Sequence, residues 1–178
     1  MKKILLIFAI ILSACTSKLD FDQADQLTIT PVFEGDILYF DLFKENLTDA
    51  QSNFRSTIID TIDFAIFKNG NNRDHFEKAI FTVGYKNSFQ RSFHTDYIFI
   101  DDNKQAVEQG SFDILAADIN QTEEGEVVFS FDKTVNPTFT NFRKIVVQIT
   151  ITPDTMPVED KQLHVKTKGV IYTKVVIK

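Results

Sequence analysis

Cysteine and tryptophan are what this 178-residue chain has least of: one of the former and none of the latter. A single thiol cannot close an internal disulfide, form a Cys-x-x-Cys redox pair or build a thiolate zinc site. Glycine is also sparse, at six residues, and none stands in a Gly-x-Gly-x-x-Gly or Gly-x-x-x-x-Gly-Lys arrangement. Without that phosphate cradle no nucleotide cofactor is expected. Basic residues are outnumbered, 19 against 25 acidic, for a net charge of -6 and no Lys/Arg-rich run. This excludes the electrostatic footprint that phosphate backbones require, so no nucleic acid partner is expected, and the same sign opposes docking on anionic lipid through the protein surface. The three histidines, His75, His94 and His164, stand far apart, with no His-Glu-x-x-His and no second ligand at metal spacing. No metal or other cofactor is expected from them. Gly-x-Ser-x-Gly is absent too, and no catalytic residue is assigned.

What is present begins at the N-terminus. Met1-Lys2-Lys3 precedes a nine-residue apolar run, Ile4 to Leu12, and then Ser13-Ala14-Cys15. As a helix nine residues span about 14 Å, roughly half of a bilayer core, so the run reads as a secretory signal and not as a membrane-spanning helix. Its last four residues, Leu12-Ser13-Ala14-Cys15, resemble the lipobox of bacterial lipoproteins. The resemblance implies a diacylglyceryl thioether on Cys15, cleavage between Ala14 and Cys15, and Cys15 as the first residue of the mature chain, acylated with palmitate-like chains. Loss of Lys2 and Lys3 from the 19 basic residues would leave 17 against 25 acidic, a net charge of -8. Two or three acyl chains exceed what a single chain gives, which is only reversible membrane binding.

The expected organisation is therefore a cleaved signal over 1–14, a lipidated N-terminus and polar tether over 15–26, and a folded domain over 27–178. The tether from Thr16 to Gln26 can stretch to about 35–40 Å. Lys18, Asp20 and Asp22 loosely resemble the acidic sorting stretch of some surface-displayed lipoproteins, so the periplasmic and surface faces of the outer membrane both stay open.

Past the tether, short apolar runs of period two are broken every ten to fifteen residues by Asn, Asp, Gly or Pro, the pattern of an all-β sandwich or barrel. Nine strands are predicted near Leu27–Phe33, Ile37–Phe43, Thr57–Phe67, Phe76–Tyr85, Arg91–Ile100, Ser111–Ile119, Val127–Phe131, Lys144–Thr152 and Leu163–Ile177. Asn69-Gly70 predicts a hairpin between the third and fourth, and Glu34-Gly35-Asp36 a turn between the first two. Asp101-Asp102-Asn103-Lys104 closes another strand, Glu123-Glu124-Gly125 precedes the seventh, and Pro137 and Pro153 mark loops. In the third strand Asp60 shares a face with Ile58 and Ile62; in the eighth, Ile145, Val147, Ile149 and Ile151 share one face, which predicts a central strand. Eighteen phenylalanines must fill the core in place of tryptophan. The body is similar to the small immunoglobulin-like lipoproteins of diderm bacteria, which implies an antiparallel β-sandwich of about seven to nine strands.

Two runs look apolar on both faces, Ile37-Leu38-Tyr39-Phe40 and Tyr97-Ile98-Phe99-Ile100. Either the chain's own loop, Glu45 to Ser56, covers the second face, or Tyr39, Tyr97 and Phe99 form an interaction surface for an envelope protein partner. Carboxylate pairs occur at Asp101/Asp102, Glu123/Glu124, Asp60/Asp63 and Glu159/Asp160; adjacent carboxylates in turns point apart, and Asp101-Asp102-Asn103 lacks the glycine and spacing of a calcium loop. Asp60-Thr61-Ile62 and Asp154-Thr155-Met156 resemble O-glycosylation tripeptides of some bacterial envelope proteins. The function expected is a lipid-anchored envelope lipoprotein that binds or supports without catalysis. The alternatives are a small envelope hydrolase with a composite carboxylate site and a carbohydrate-binding accessory protein.

Overall fold

The computed structural model describes residues 27–51, 53–152 and 161–176. The signal, the lipobox and the tether to Gln26 lie outside the described residues, as do Pro153, Asp154-Thr155-Met156, Glu159, Asp160 and Ile177. Alternating apolar and polar residues over seven to twelve positions give eight strands: β2 (Val32–Phe43), β3 (Thr57–Asp63), β4 (Phe76–Asn87), β5 (Ser92–Ile100), β6 (Ala106–Ile114), β7 (Glu123–Asp132), β8 (Lys144–Thr152) and β9 (Gln162–Thr173). Two shorter strands, β1 (Thr28–Ile29) and β10 (Val175–Val176), pair with each other as an antiparallel ribbon that is a unit by itself.

The eight longer strands form two antiparallel sheets of four, ordered β2-β9-β4-β7 and β3-β8-β5-β6. Both sheets turn an apolar face toward each other, which is the sandwich the alternation predicts. The order is that of a jelly roll, in which the chain keeps crossing from one sheet to the other. The expectation of an antiparallel sandwich of seven to nine strands holds, and the strand order resolves its connectivity. β8 lies between β3 and β5, central as its clean alternation predicts.

Three expected turns come out differently. The Asn69-Gly70 segment does not close a hairpin: β3 and β4 lie in different sheets, and a five-residue helix α1 (Gly70–Asp74), capped by the Asn69 side chain on the Asn71 N–H, carries the chain across. Glu34-Gly35-Asp36 sits inside β2, next to a bulge between Asp36 and Leu38. Glu123-Glu124-Gly125 belongs to β7. In each case turn-forming residues sit where strand pairing with a distant partner outweighs local preference. Asp101-Asp102-Asn103-Lys104 does close a hairpin, β5 to β6: Asp101 Oδ1 accepts from the Asn103 and Gln105 N–H groups at 2.8 Å each, and Lys104 takes the left-handed conformation at φ 61°.

Two apolar clusters fill the space between the sheets. β4 contributes Ala79 and Phe81 to one and Val83 and Tyr85 to the other; β8 likewise splits Ile145 from Ile149 and Ile151. The first cluster is mainly phenylalanine. Phe139 and Phe142, from the connection before β8, meet Phe131 and Phe99, with Phe131 and Phe139 stacked at 4.3 Å. Loop-borne aromatics thus close that end of the sandwich, which is how a chain without tryptophan supplies core volume. Val147 and Phe129 touch both clusters, and between the clusters a void of about 60 Å³ remains, lined among others by Thr95 and Thr167.

Candidate binding cleft between two sheet edges

β2 and β3 are edge strands of opposite sheets, so neither is covered by a further strand. Between them runs an open cleft of about 400 Å³, in the size range of ligand pockets. Its floor is apolar: Leu38 and Phe40 of β2, Ile58 and Ile62 of β3, Val147 and Ile149 of β8. Its rim is polar, with Asp41, Glu45, Asn46, Thr48, Arg55 and Asp60. The rim residues from 45 to 55 belong to the connection between the two edges. That connection is anchored by Leu47, buried in the core, and by a bridge between Thr48 and Phe54. Asp49 Oδ1 caps its turn, accepting from Gln51 and Asn53 N–H groups at 2.9 and 2.8 Å. Hydrogen bonds from Asn53, side chain first, hold the Asp49 carboxyl below the usual carboxylate range.

The structure separates the three aromatic residues that the sequence groups as an interaction surface. Phe99 is 3% exposed and sits in the phenylalanine cluster, so it is a core residue and not a surface one. Tyr97 also points inward, edge-on to Phe129 with ring centroids at 4.7 Å, and burial pushes its hydroxyl pKa up. Tyr39 alone is outside, 62% exposed. The apparent two-faced run at 37–40 has a simple cause: the bulge in β2 shifts the alternation by one, so Ile37 and Leu38 both line the interior and only Tyr39 faces out. The loop at 45–56 does not cover Tyr39; its side chains line the cleft instead.

Tyr39 stands beside His164 on the outer face of its sheet, edge-on at 4.9 Å. His164 Nδ1 meets Asp41 Oδ1 at 2.7 Å, with both side chains about 30% exposed. This histidine–carboxylate pair borders the cleft through Asp41. No serine, threonine or cysteine hydroxyl or thiol is among its hydrogen-bond partners within the described residues. The other pair, on the outer face of the second sheet, is closed on itself: His94 Nδ1 contacts Asp113 at 2.7 Å and Nε2 contacts Asp96 at 3.3 Å. With both ring nitrogens on carboxylates, His94 has no free position to accept a proton from Ser111, which lies opposite Asp96. His75 follows α1 and, among the described residues, makes backbone contacts, its N–H to the Asn71 carbonyl and its carbonyl to the Lys174 N–H.

The turn carboxylates are spent locally. Asp102 meets Arg143 at 3.3 Å, Glu124 meets Lys86 at 2.8 Å and Asp63 meets Lys144 at 3.2 Å. These three do not converge on one another; the carboxylates that share one space are Asp41, Glu45 and Asp60, which line the cleft. Among the described residues no three His, Cys, Asp or Glu side chains gather at metal-binding distance. Tyr85 and Tyr97 turn inward, so no row of exposed tyrosines forms a sugar platform. The cleft itself was half legible in advance. Its connecting loop and the inward phase of Asp60 are in the sequence, but that β2 and β3 would face each other as open edges is not.

No family model matches the chain, and no curated protein matches it. Among solved structures, the VP2 subviral particle of infectious bursal disease virus aligns over 81% of this chain and 32% of its own length, with 7% identity and a TM-score of 0.48. A protein of Parabacteroides distasonis described as secreted aligns over 63% of this chain and 36% of its own, with 16% identity and a TM-score of 0.43. Desmodium yellow mottle tymovirus aligns over 84% and 89%, with 11% identity and a TM-score of 0.37. The chain spans about a third of the length of the first two.

Proposed function

We propose that this chain is a lipid-anchored module of the bacterial cell envelope that binds a target without transforming it, and that the β2/β3 cleft is where it binds. The observation that carries the anchoring is the lone cysteine, Cys15, placed directly after a nine-residue apolar run and Leu-Ser-Ala. Thioether formation there uses the only thiol and leaves the body free of reactive sulfur. Support for binding comes from the cleft's form, an apolar floor inside a polar rim. Support for binding without catalysis comes from the histidines: His94 is held between two carboxylates, and the His164–Asp41 pair has no serine, threonine or cysteine among its hydrogen-bond partners within the described residues. The protein works on the extracytoplasmic side, with the outer membrane as its location and an envelope component as its target.

The test is to express the natural chain and Cys15→Ser in cells fed labelled palmitate. The natural chain takes up label and enters the detergent phase; Cys15→Ser takes up none and partitions into water. Label on Cys15→Ser, or no label on the natural chain, removes the anchor.

A further inference from the structure

Asp60 occupies an unusual place. In the ladder between β3 and β8, Ile58 stands opposite Ile149, Asp60 opposite Val147 and Ile62 opposite Ile145. Residues directly opposite share a face of the sheet, so Asp60 lies on the inward side of this edge strand, between two isoleucines, and stands exposed at the cleft rim. Its carboxylate accepts the N–H of Thr61 at 2.7 Å, and no ion pair among the described residues includes it. Asp63, three residues on, is by contrast held by Lys144. Glu45 is exposed, lines the same cleft and joins no ion pair among the described residues either. Arg55 is the one cation lining the cleft, outnumbered there by Asp41, Glu45 and Asp60. An inward charge on an edge strand keeps other strands from adding, and covering it with a purely apolar guest would strand a carboxylate away from water.

The floor residues also border a second space. Leu38, Phe40, Ile62, Val147 and Ile149 line both the cleft and the void between the two core clusters. Within that void the Thr95 hydroxyl is buried with no hydrogen-bond partner, on a residue 3% exposed. A volume of about 60 Å³ exceeds the roughly 10–15 Å³ that one water needs on the same measure. It is therefore space that a guest or water completes, and it lies behind the cleft.

From these observations we infer that the cleft takes a linear amphiphile, an aliphatic chain bearing a protonated amine. The ammonium sits on Asp60 and Glu45, and the chain lies along Phe40, Ile62 and Val147 with its end toward the void. This deepens the binding reading of the same cleft and rests on it. The acidic rim excludes a fatty-acid carboxylate, which like charge would repel, and the inward Asp60 disfavours an added peptide strand.

The experiment titrates decylammonium, decanoate and butylammonium, each below its micelle concentration, into the full chain carrying Cys15→Ser, read by calorimetry near pH 7. Decylammonium binds; decanoate and butylammonium bind at least tenfold more weakly. Asp60→Asn, at an exposed position, keeps its melting temperature and weakens decylammonium at least tenfold, and Glu45→Gln weakens it severalfold. The proposal is overturned by equal binding of decanoate, by unchanged affinity in both variants, or by no binding of any probe. It is overturned too if an extended lysine-containing apolar peptide binds in preference to decylammonium and perturbs the β3 backbone amides. Palmitate labelling of Cys15 is read separately, so loss of this ligand leaves the anchor reading standing and the reverse also holds.

Discussion

Two glycines show how single residues are tuned to the edges of the sandwich. Gly110 on β6 lies opposite Tyr97, and Gly125 on β7 lies opposite Tyr85. In both places a Cβ on the glycine would fall inside the tyrosine ring's own volume, so the ring lies across the bare backbone and covers an edge strand that lacks a side chain there. Gly35, in β2, has nothing within 4 Å of such a Cβ. Alanine should therefore act differently at sites of the same residue type. Gly110→Ala and Gly125→Ala must push a half-buried or buried tyrosine aside and lose about 1–3 kcal/mol, whereas Gly35→Ala stays within about 0.5 kcal/mol of the natural chain. Urea midpoints of the three variants check this, and equal losses at all three would remove the tyrosine-cover account. The pairings Tyr97 with Gly110 and Tyr85 with Gly125 are invisible in the sequence, because each depends on a register between strands.

Elements are fastened across their outer faces by polar contacts. His94 of β5 bonds Asp113 directly opposite on β6 and Asp96 two residues along its own strand. The bond to Asp113, helped by attraction from both carboxylates against a smaller opposing effect of burial, raises the His94 pKa above its usual 6.5. Because the folded state holds the proton more tightly than the unfolded chain, this contribution is fully present below about pH 6.5 and is lost as pH rises through the raised folded pKa. The melting temperature of the natural chain should exceed that of His94→Gln by more at about pH 5.5 than at about pH 8.5. A gap that does not change with pH would mean His94 contributes only packing. The other sheet carries a similar fastening, with Lys166 on Asp36 and Lys168 on Glu34 between β9 and β2; the Glu34 bond raises the Lys168 pKa further. Each row depends on register between strands, which the sequence does not carry.

At the scale of the molecule the decisive fact is that, within residues 30–174, only β5 and β6 pair as sequence neighbours. β2 pairs with β9, bringing Val32 beside Tyr172, and loop closure over such separations must be met before any contact forms. Refolding from denaturant is accordingly expected in milliseconds to seconds, followed by tyrosine fluorescence in stopped flow; completion within microseconds would contradict this topology. The same wrapping explains the misplaced hairpins. Asn69-Gly70 has hairpin chemistry, yet the phenylalanines flanking it, Phe67 and Phe76, are both buried at one end of the sandwich, so the segment crosses between sheets. The cleft is a product of the same wrapping, since it exists only because β2 and β3 end up as facing edges.

The amino-acid order alone was enough for the all-β class, for the inward and outward phase of β3 and β8, for the interior place of β8, and for Asp60 on the apolar side. Each of these rests on a side-chain period of two along a single strand, which is local. Tertiary structure alone decided which strands pair, that Phe99 and Tyr97 face the core while Tyr39 faces water, and that an acidic cleft opens between two edges. Those outcomes depend on how distant strands bury one another's apolar faces, and no local period carries that information.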